Sequence, residues 1–313
     1  MARIKVRVML STFNGELYLA EQLESILDQQ GIDLQLVIRD DGSTDRTLEI
    51  LHQYQQLYPE KIVLLTGSNQ GVPGSFFELL KLELEDFEYF AFSDQDDVWK
   101  NDKLARAVAS LSCNSKNQPV MYCSSTTMVD ENLNVIKVWP DQPGKGLSMY
   151  NALIENVAVG CTMVLNREAM KLVQSHIPEN LSGIIMHDWW IYLCVASFGN
   201  VIFDPIPSIY YRQHALNVLG GQSESGFSKW AKRLQRFLGG KNHYILSRQA
   251  KVFLSRFGHS LTSNQKKDIE RFLQNRHKNV LLRCWYAIVI SPFYRQAFLD
   301  SLIYRLVYIM GKI

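Results

Sequence analysis

Three carboxylates stand close together at residues 94 to 97, which read Asp-Gln-Asp-Asp. They directly follow the apolar run 89 to 92, which is typical of a buried strand. Open α/β sheets bind ligands at the carboxyl ends of parallel strands, and hard divalent cations prefer carboxylate and phosphate oxygens. The pattern therefore favours a site for Mg²⁺ or Mn²⁺. The alternative is an acidic cap on a helix that begins near Lys100.

Two further strand-like runs also end in polar residues. Residues 34 to 38 lead into Asp40 and Asp41, and residues 6 to 10 lead into Ser-Thr-Phe-Asn-Gly at 11 to 15. Because the ends of neighbouring parallel strands meet at one edge of a sheet, we expect the three polar segments to form one site. Their side chains are suited to a nucleotide.

The chain resembles the family 2 glycosyltransferases, whose nucleotide-sugar-binding domain has the GT-A fold. The matching segments are Ser-Thr-Phe-Asn-Gly at 11 to 15, Asp-Asp-Gly-Ser-Thr-Asp at 40 to 45, Ser-Asp-Gln-Asp-Asp-Val-Trp at 93 to 99, His-Asp-Trp-Trp at 187 to 190 and Tyr-Arg-Gln-His-Ala-Leu-Asn at 211 to 217. The resemblance covers residues 4 to 220 and is strongest to the bacterial rhamnosyltransferases of cell-wall and O-antigen synthesis.

The resemblance implies a metal site and a phosphate site. Asp96 and His214 correspond to metal ligands, Asp94 corresponds to a nucleotide-binding residue, and Asp97 supports them. The alternative for His214 is an ordinary histidine in a surface loop. A divalent metal on both phosphates of the donor would neutralise the charge that develops as the diphosphate leaves.

The resemblance also implies a nucleoside site formed by Thr12, Asn14, Asp40 and Asp41. A carboxylate at a strand end accepts charge-assisted hydrogen bonds from ribose hydroxyls or from the imide N–H of uracil or thymine. Asp41 has an alternative role as the cap of the following helix, since the segment is rich in capping residues.

The general base implied by the resemblance is Asp188, which in inverting relatives deprotonates the acceptor hydroxyl. Surrounding apolar residues can raise the pKa of such a base. His187 stands where the family often has Glu. Trp189 and Trp190 either stack on a sugar ring or belong to the core.

Three basic residues are candidates for offsetting pyrophosphate charge. Arg212 has this role by its place in the motif, and Lys103 and Arg39 are surface candidates. Asn217 is expected to fix a loop that closes over the donor.

Composition indicates a globular protein with two differently charged parts. The chain has 313 residues, of which 47% are hydrophobic. Residues 1 to 221 carry 16 Lys and Arg against 27 Asp and Glu, or −11, whereas residues 222 to 313 carry 17 against 4, or +13. The five cysteines form neither a disulfide framework nor a zinc motif. Together with an N-terminus that shows no signal peptide, they predict a cytoplasmic protein.

Alternating strand and helix patterns from residue 4 to about 125 predict an α/β fold, with a mostly parallel sheet flanked by helices. Residues 157 to 165 are predicted to form a further strand, and 188 to 196 a helix. We expect a catalytic domain of GT-A (Rossmann-like) type at 1 to 220, and a helical, basic C-terminal region at 221 to 313.

The basic C-terminal region predicts contact with an anionic membrane surface. Residues 227 to 239 have the pattern of an amphipathic basic helix, and aromatic residues recur after it. The alternatives are packing on the catalytic domain and self-association. Nothing in residues 1 to 220 resembles a nucleic-acid-binding motif, so nucleic acid is not the expected partner.

The leading hypothesis is an inverting, metal-dependent glycosyltransferase. The resemblance suggests dTDP-β-L-rhamnose as donor and a lipid-linked saccharide as acceptor, at the inner face of the cell membrane. UDP-hexose and UDP-N-acetylhexosamine are alternative donors. A phosphotransferase of the haloacid dehalogenase type has its Asp-x-Asp on the first strand, unlike this chain, and an inactive scaffold or carbohydrate-binding protein is the remaining alternative.

Overall fold

A computed structural model describes residues 4–214 and 243–313. The chain divides into two compact units. The first comprises Met1–Gln142, Val157–Ile177 and Met186–Gly220, and the second comprises Pro143–Asn156, Pro178–Ile185 and Gly221–Ile313. The division groups 143–156 and 178–185 with the C-terminal helices, in addition to the change at residue 220 that the sequence predicts.

The first unit contains eleven strands and six helices among its described residues. The strands are β1 (Ile4–Thr12), β2 (Ile32–Asp40), β3 (Ile62–Thr66), β4 (Tyr89–Ser93), β5 (Val98–Trp99), β6 (Val120–Ser124), β7 (Thr126–Val129), β8 (Val135–Trp139), β9 (Val164–Asn166), β10 (Asn200–Asp204) and β11 (Ile209–Arg212). The helices are α1 (Leu19–Leu27), α2 (Thr47–Leu57), α3 (Gly71–Leu80), α4 (Lys103–Ser112), α6 (Arg167–Gln174) and α7 (His187–Phe198), with α5 (Met149–Ala152) in the second unit.

The predicted mostly parallel sheet is confirmed. Its seven strands run in the order β10-β6-β9-β4-β1-β2-β3, and only β9 is antiparallel to its neighbours. All five residues of β4 are buried, as expected of a central strand covered on both faces. Because β4, β1 and β2 are adjacent and parallel, their carboxyl ends bring 94–97, 12–15 and 40–43 to one edge.

A second, four-stranded sheet in the order β5-β11-β7-β8 lies beside the acidic segment. Strand β5 follows residue 97 directly and pairs with β11, so that α4 begins only at Lys103. The acidic segment therefore does not cap the next helix, and the alternative reading is wrong. The pairing also brings residues 212 to 214 to the acidic segment.

The predicted strand at 157 to 165 is wrong over most of its length. Gly160–Thr162 form one turn of 3₁₀-helix, and only Val164–Asn166 form a strand. The physical reason is packing: a Cβ at Gly160 would lie 3.2 Å from Asp188 Cβ, so the backbone approaches α7 too closely for an extended strand of larger residues.

The second unit is helical in its described part. Its main elements are α8 (Ile245–Phe257), α9 (Ser263–Asn275), α10 (Val280–Trp285), a π-helical turn (Tyr286–Ile290) and α11 (Phe298–Ile309). A capping box on Thr262 and Gln265 starts α9. Among residues 4–214 and 243–313, no helix is long and apolar enough to cross a membrane.

Candidate active site

Gln95 joins the acidic segment to the end of β1. Its Oε1 accepts hydrogen bonds from Thr12 Oγ1 at 2.7 Å and from the Phe13 N–H at 2.8 Å, and its Nε2 donates to the Phe13 carbonyl at 3.2 Å. Thr12 is buried and its hydroxyl is used in this contact. The residue between the two carboxylates therefore fixes the neighbouring loop, a role that its type alone did not reveal.

The predicted nucleoside residues are held together by hydrogen bonds. Asp40 Oδ2 accepts from the N–H groups of Gly42 and Ser43 at 3.1 and 2.9 Å. Asn14 donates its backbone N–H to Ser43 Oγ at 2.9 Å, and its Oδ1 accepts from the Thr44 N–H at 2.8 Å. The first two strand ends thus form one rigid rim.

Asp41, like Asp40, has both carboxylate oxygens engaged by groups of the protein, but its partners include a cation and the start of another helix. Its carboxylate forms a buried ion pair with Arg39 and accepts the N–H groups of Gln70 and Gly71 at the start of α3, each at 2.9 Å. Capping does occur, but on α3 instead of the helix that follows in sequence. Arg39 is buried, so its interpretation as a surface residue is wrong.

The acidic segment places three carboxyl groups close together, of which Asp97 is buried and Asp94 and Asp96 are partly buried. Burial, followed by the carboxylates of Asp96 and Asp188, raises the pKa of Asp94 to about 7. Burial, followed by the carboxylates of Asp96 and Asp94, raises the pKa of Asp97 well above its usual range. The fold brings the predicted base to this segment from almost a hundred residues away. A Cβ added at Gly160 would lie 3.2 Å from Asp188 Cβ, and Sγ of the next residue, Cys161, lies within 4.8 Å of carboxylate oxygens of Asp94 and Asp97.

Asp96 and His214 lie together as the metal interpretation requires. His214 Nε2 is 2.8 Å from Asp96 Oδ2, and the carboxylate keeps 17% of its side-chain surface exposed. The carboxylate oxygen of Asp96 suits Mn²⁺ or Mg²⁺, and the imidazole nitrogen of His214 is a second donor beside it. The structure thus places His214 at the acidic segment, unlike the alternative of an unattached surface histidine.

Asp94, Asp97 and Cys161 form a second group whose ligand atoms lie within 4.8 Å of one another. It suits a hard cation less well, because Asp97 is fully buried and burial raises the pKa of the Cys161 thiol well above its usual value. A protonated thiol is a poor ligand for these ions. Of the two groups, Asp96 with His214 is therefore the better metal site.

Arg212 has a positioning role in the acidic segment. Its Nε donates to the Asp96 carbonyl at 3.0 Å, its backbone N–H donates to Asp97 Oδ1 at 3.2 Å, and its guanidinium forms an ion pair with Glu21. Arg212 is buried and packs 4.5 Å from the centre of the Tyr18 ring. These contacts fix the loop that carries the metal candidates.

Lys103 is fully buried, so its interpretation as a surface residue is wrong. Its ammonium lies 3.5 Å from the centre of the Trp99 ring, and burial lowers the pKa of Lys103 to about 7. The attraction of Asp97 partly opposes this shift. The burial of Lys103 keeps it from a ligand at the surface.

Asp188 lies in the first turn of α7 and is largely buried. A carboxylate there is stabilised by the helix dipole. Its neighbour His187 stacks on Phe76, with ring centres 3.8 Å apart. Gly160 faces both residues, since an added Cβ would lie 3.2 Å from Asp188 Cβ and 3.3 Å from His187 Nε2. Sequence reasoning missed Gly160, whose importance comes only from this contact.

The two tryptophans after the base have different environments. Trp190 is fully buried and belongs to the core, whereas Trp189 is partly exposed. Trp189 is therefore the one that a sugar ring can reach. Asn217 and the amphipathic segment 227 to 239 lie outside the described residues, and their predicted roles stay predictions.

We expect Gly160→Ala to slow transfer about 10- to 100-fold. The new methyl group would displace the Asp188 side chain, and a misplacement of this kind weakens catalysis strongly. Initial rates with saturating donor and acceptor test the prediction. Gly144→Ala is the control, because no atom lies within 4 Å of a Cβ added there. Equal rates for the two variants would contradict the prediction.

Burial of His187 predicts an acid-sensitive fold. Burial lowers the pKa of His187 to about 3, against about 6.5 in the unfolded chain. Below pH 6.5 the unfolded state binds the proton first, so the free energy of unfolding falls by up to about 1.4 kcal/mol per pH unit as the pH decreases toward 3. In the native protein the raised pKa values of Asp94 and Asp97 act in the opposite direction, so the contribution of His187 is measured as a difference. In urea denaturation at pH 5 to 7.5, the free energy of unfolding of the native protein relative to that of His187→Leu should fall with this slope as the pH decreases. The control is His52→Gln, at an exposed site. A change in this slope as large as that of His187→Leu would contradict the prediction.

Comparison with known proteins identifies the family. Residues 7–173 match the model of glycosyl transferase family 2. The dTDP-rhamnosyl transferase RfbG of Shigella flexneri is 33% identical over 228 residues, which are 67% of this chain and 73% of that protein.

Solved structures are similar in fold. S. aureus TarS (residues 1–349), in complex with UDP-GlcNAc, has a TM-score of 0.58 and 18% identity, covering 99% of this chain and 82% of that one. The mannosyltransferase PcManGT of Pyrobaculum calidifontis, in complex with GDP-Man and Mn²⁺, has a TM-score of 0.50 and 16% identity, covering 100% of this chain and 86% of that one. With the sheet edge described above, these matches show that the chain is a glycosyltransferase of family 2 with the GT-A fold, similar to rhamnosyltransferases.

Proposed function

We propose that the protein is an inverting, metal-dependent rhamnosyltransferase. It would transfer L-rhamnose from dTDP-β-L-rhamnose to a hydroxyl of a lipid-linked precursor of a bacterial cell-surface polysaccharide. The observation that supports the reaction is that the adjacent residues Gly160 and Cys161 contact Asp188 and the acidic segment respectively, since a base and a diphosphate-binding group must lie on either side of one reacting carbon. The similarity to the dTDP-rhamnosyl transferase of Shigella flexneri supports the choice of donor.

In the proposed reaction, Asp188 accepts the proton of the acceptor hydroxyl. The acceptor oxygen then forms a bond to C1 of the rhamnose on the face opposite the diphosphate. The bond from C1 to the phosphate oxygen breaks, its electron pair leaves with dTDP, and inversion converts the β-linked donor into an α-rhamnoside. The Trp189 N–H, which donates to Asp188 Oδ1 at 2.6 Å, holds this carboxylate in place.

Asp96 and His214 would hold Mn²⁺ or Mg²⁺, which when bound neutralises charge on the diphosphate. Asp94 would contact the ribose. Asp40 and Asn14 would form the rim that receives the nucleoside, with Thr12 and Asp41 holding that rim in place. Asp97, Arg212 and Asn217 would support the metal loop, and Trp189 would stack on the sugar.

We also propose a cytoplasmic location at the inner face of the cell membrane. A lipid-linked acceptor presents its saccharide at a bilayer surface, so an enzyme that binds this surface meets its substrate at high local concentration. The positive charge of residues 222 to 313 suits anionic lipids.

A donor panel tests the function directly. Purified protein with Mn²⁺ would be incubated with dTDP-rhamnose, UDP-glucose, UDP-galactose, UDP-GlcNAc and GDP-mannose, and the released nucleoside diphosphate would be measured. We expect release from dTDP-rhamnose that EDTA abolishes. Release from a UDP-sugar alone would overturn the donor, and release that EDTA does not affect would overturn the metal. No release and no donor-induced rise in melting temperature would favour an inactive scaffold.

A further inference from the structure

The C-terminal helices carry an unusually large exposed apolar surface. We define the apolar ridge as the exposed apolar side chains of α10, of the π-helical turn, of α11 and of Met310, the residue that follows α11. Its members are Val280, Leu281, Leu282, Trp285, Ile288, Val289, Ile290, Phe298, Leu299, Leu302, Leu306 and Met310. Leu281 and Phe298 are 77% and 78% exposed. Single exposed leucines are common on soluble proteins, but a contiguous set of this size marks an interaction surface.

The ridge belongs to well-packed helices. On the opposite side of α11, Tyr304 and Tyr308 are buried, and Tyr308 packs on Phe272 and Tyr286 with ring centres 5.5 and 5.1 Å apart. Tyr308 also donates a hydrogen bond to the Phe272 carbonyl at 2.7 Å. One face of these helices therefore packs on buried aromatic side chains, and the apolar ridge is exposed to solvent.

Spacing confirms that α11 presents one stripe to solvent. Phe298, Leu302, Leu306 and Met310 recur at four-residue intervals and are each at least 47% exposed. Side chains four apart lie on one face of a helix. α10 and the π-helical turn both contact α11, so the three elements that carry the exposed residues are neighbours.

Charge decides which partner suits this surface. Residues 276 to 313 contain six basic residues, Arg276, Lys278, Arg283, Arg295, Arg305 and Lys312, and one acidic residue, Asp300. A second copy of the same face would bring like charges together. A bilayer with anionic headgroups provides an apolar layer for the ridge and negative charge for its basic surroundings.

Length and composition specify how the helices would meet the bilayer. α11 has 12 residues and spans about 18 Å, less than the roughly 30 Å of a hydrocarbon core. Trp285 is 57% exposed, and tryptophan side chains concentrate at the membrane–water boundary. Helices of this length with an apolar face lie in the interface instead of crossing it.

We propose that the apolar ridge is a membrane-docking surface, which inserts into the headgroup layer of an anionic bilayer. The surface lies in the second unit and the residues assigned to chemistry lie in the first, so the proposal does not depend on the identity of the donor sugar. Its residues do not include the segment 227 to 239, for which the sequence pattern indicates an amphipathic helix.

Vesicle flotation with the full-length protein tests this proposal. The vesicles would contain phosphatidylglycerol and phosphatidylethanolamine, with phosphatidylcholine vesicles for comparison. The ridge variant Leu281→Gln/Val289→Gln/Phe298→Gln should bind the anionic vesicles at least about 100-fold more weakly than the native protein, since three apolar side chains lose their burial. Its melting temperature and donor hydrolysis should stay unchanged, because the three side chains are exposed.

The control is Leu57→Gln/Val135→Gln/Ile206→Gln, which removes three apolar side chains that are 70%, 67% and 61% exposed in the first unit. It should bind the vesicles like the native protein. Equal binding of the ridge variant and the native protein would overturn the proposal in favour of another segment, such as 227 to 239. Equal binding to neutral vesicles would overturn the anionic lipid as occupant.

Self-association is the other outcome that would overturn the proposal. In that outcome the native protein does not bind vesicles and is a dimer by light scattering, whereas the ridge variant is a monomer. A second copy of the chain would then occupy the ridge. A native monomer that binds no vesicles also overturns it. Failure of the donor panel with intact vesicle binding would leave this surface assigned and reject only the proposed reaction.

Discussion

Asp188→Asn should lower kcat/KM for sugar transfer about 1,000-fold while leaving donor affinity nearly unchanged. Asparagine has the size of aspartate and can still accept the Trp189 N–H, which lies 2.6 Å from Asp188 Oδ1. It cannot take a proton from the acceptor hydroxyl. A positioned general base contributes about 10²- to 10⁴-fold, so the loss should appear in the chemical step.

Rates at varied acceptor concentration, with donor affinity from calorimetry, separate the two effects. Glu168→Gln is the matched control, because it also removes an acidic charge from the first turn of a helix, α6. This control should transfer sugar at the native rate. If Asp188→Asn instead weakens donor binding as strongly as it slows transfer, Asp188 belongs to the donor site and another group is the base.

Asp96→Asn should reduce Mn²⁺ affinity at least about 100-fold and abolish most metal-dependent activity. The substitution keeps the shape of a side chain that lies 2.8 Å from His214, but it removes the charge that attracts the cation. His214→Gln should have a similar direction and a smaller effect. Because both residues would hold one ion, the double variant should be little worse than Asp96→Asn.

Titration of Mn²⁺ followed by its paramagnetic resonance signal measures this affinity without any substrate. Glu131→Gln is a suitable control, because it removes an exposed carboxylate near the site. Glu131 contacts Arg212 only through its backbone carbonyl, which accepts a hydrogen bond from Arg212 and is kept in the variant. Native Mn²⁺ affinity in Asp96→Asn would reject Asp96 as a ligand. Additive losses in the double variant would show that Asp96 and His214 act at separate places.

The sequence by itself determined the architecture of the first unit. The apolar run 89 to 92 predicts a buried strand, and apolar residues at three- and four-residue intervals predict the buried face of α1. Both predictions follow from residue type and spacing alone. The polar strand ends were also recognisable, because chemistry-bearing residues interrupt an apolar pattern. Strand boundaries differed by one or two residues, as expected where ends are set by contacts instead of propensity.

Short segments with tertiary constraints were not predictable in this way. The pattern of residues 157 to 165 is apolar and favours a strand, but close packing of Gly160 on His187 and Asp188 produces a 3₁₀ turn. The helices α5 and α6 were missed. α6 begins at an Asn166 cap that also accepts the Val120 N–H, a contact between residues distant in the chain.

Only the tertiary structure decided which groups each site residue contacts. Sequence pattern gives the same weight to Asp40 and Asp41, yet Asp41 pairs with Arg39 and with the start of α3. Lys103 and Arg39 read as surface cations, but both are buried, and Arg39 pairs with Asp41. The physical reason is that residue type and local spacing set what a side chain can do, whereas its partners come from strands and helices far apart in the chain.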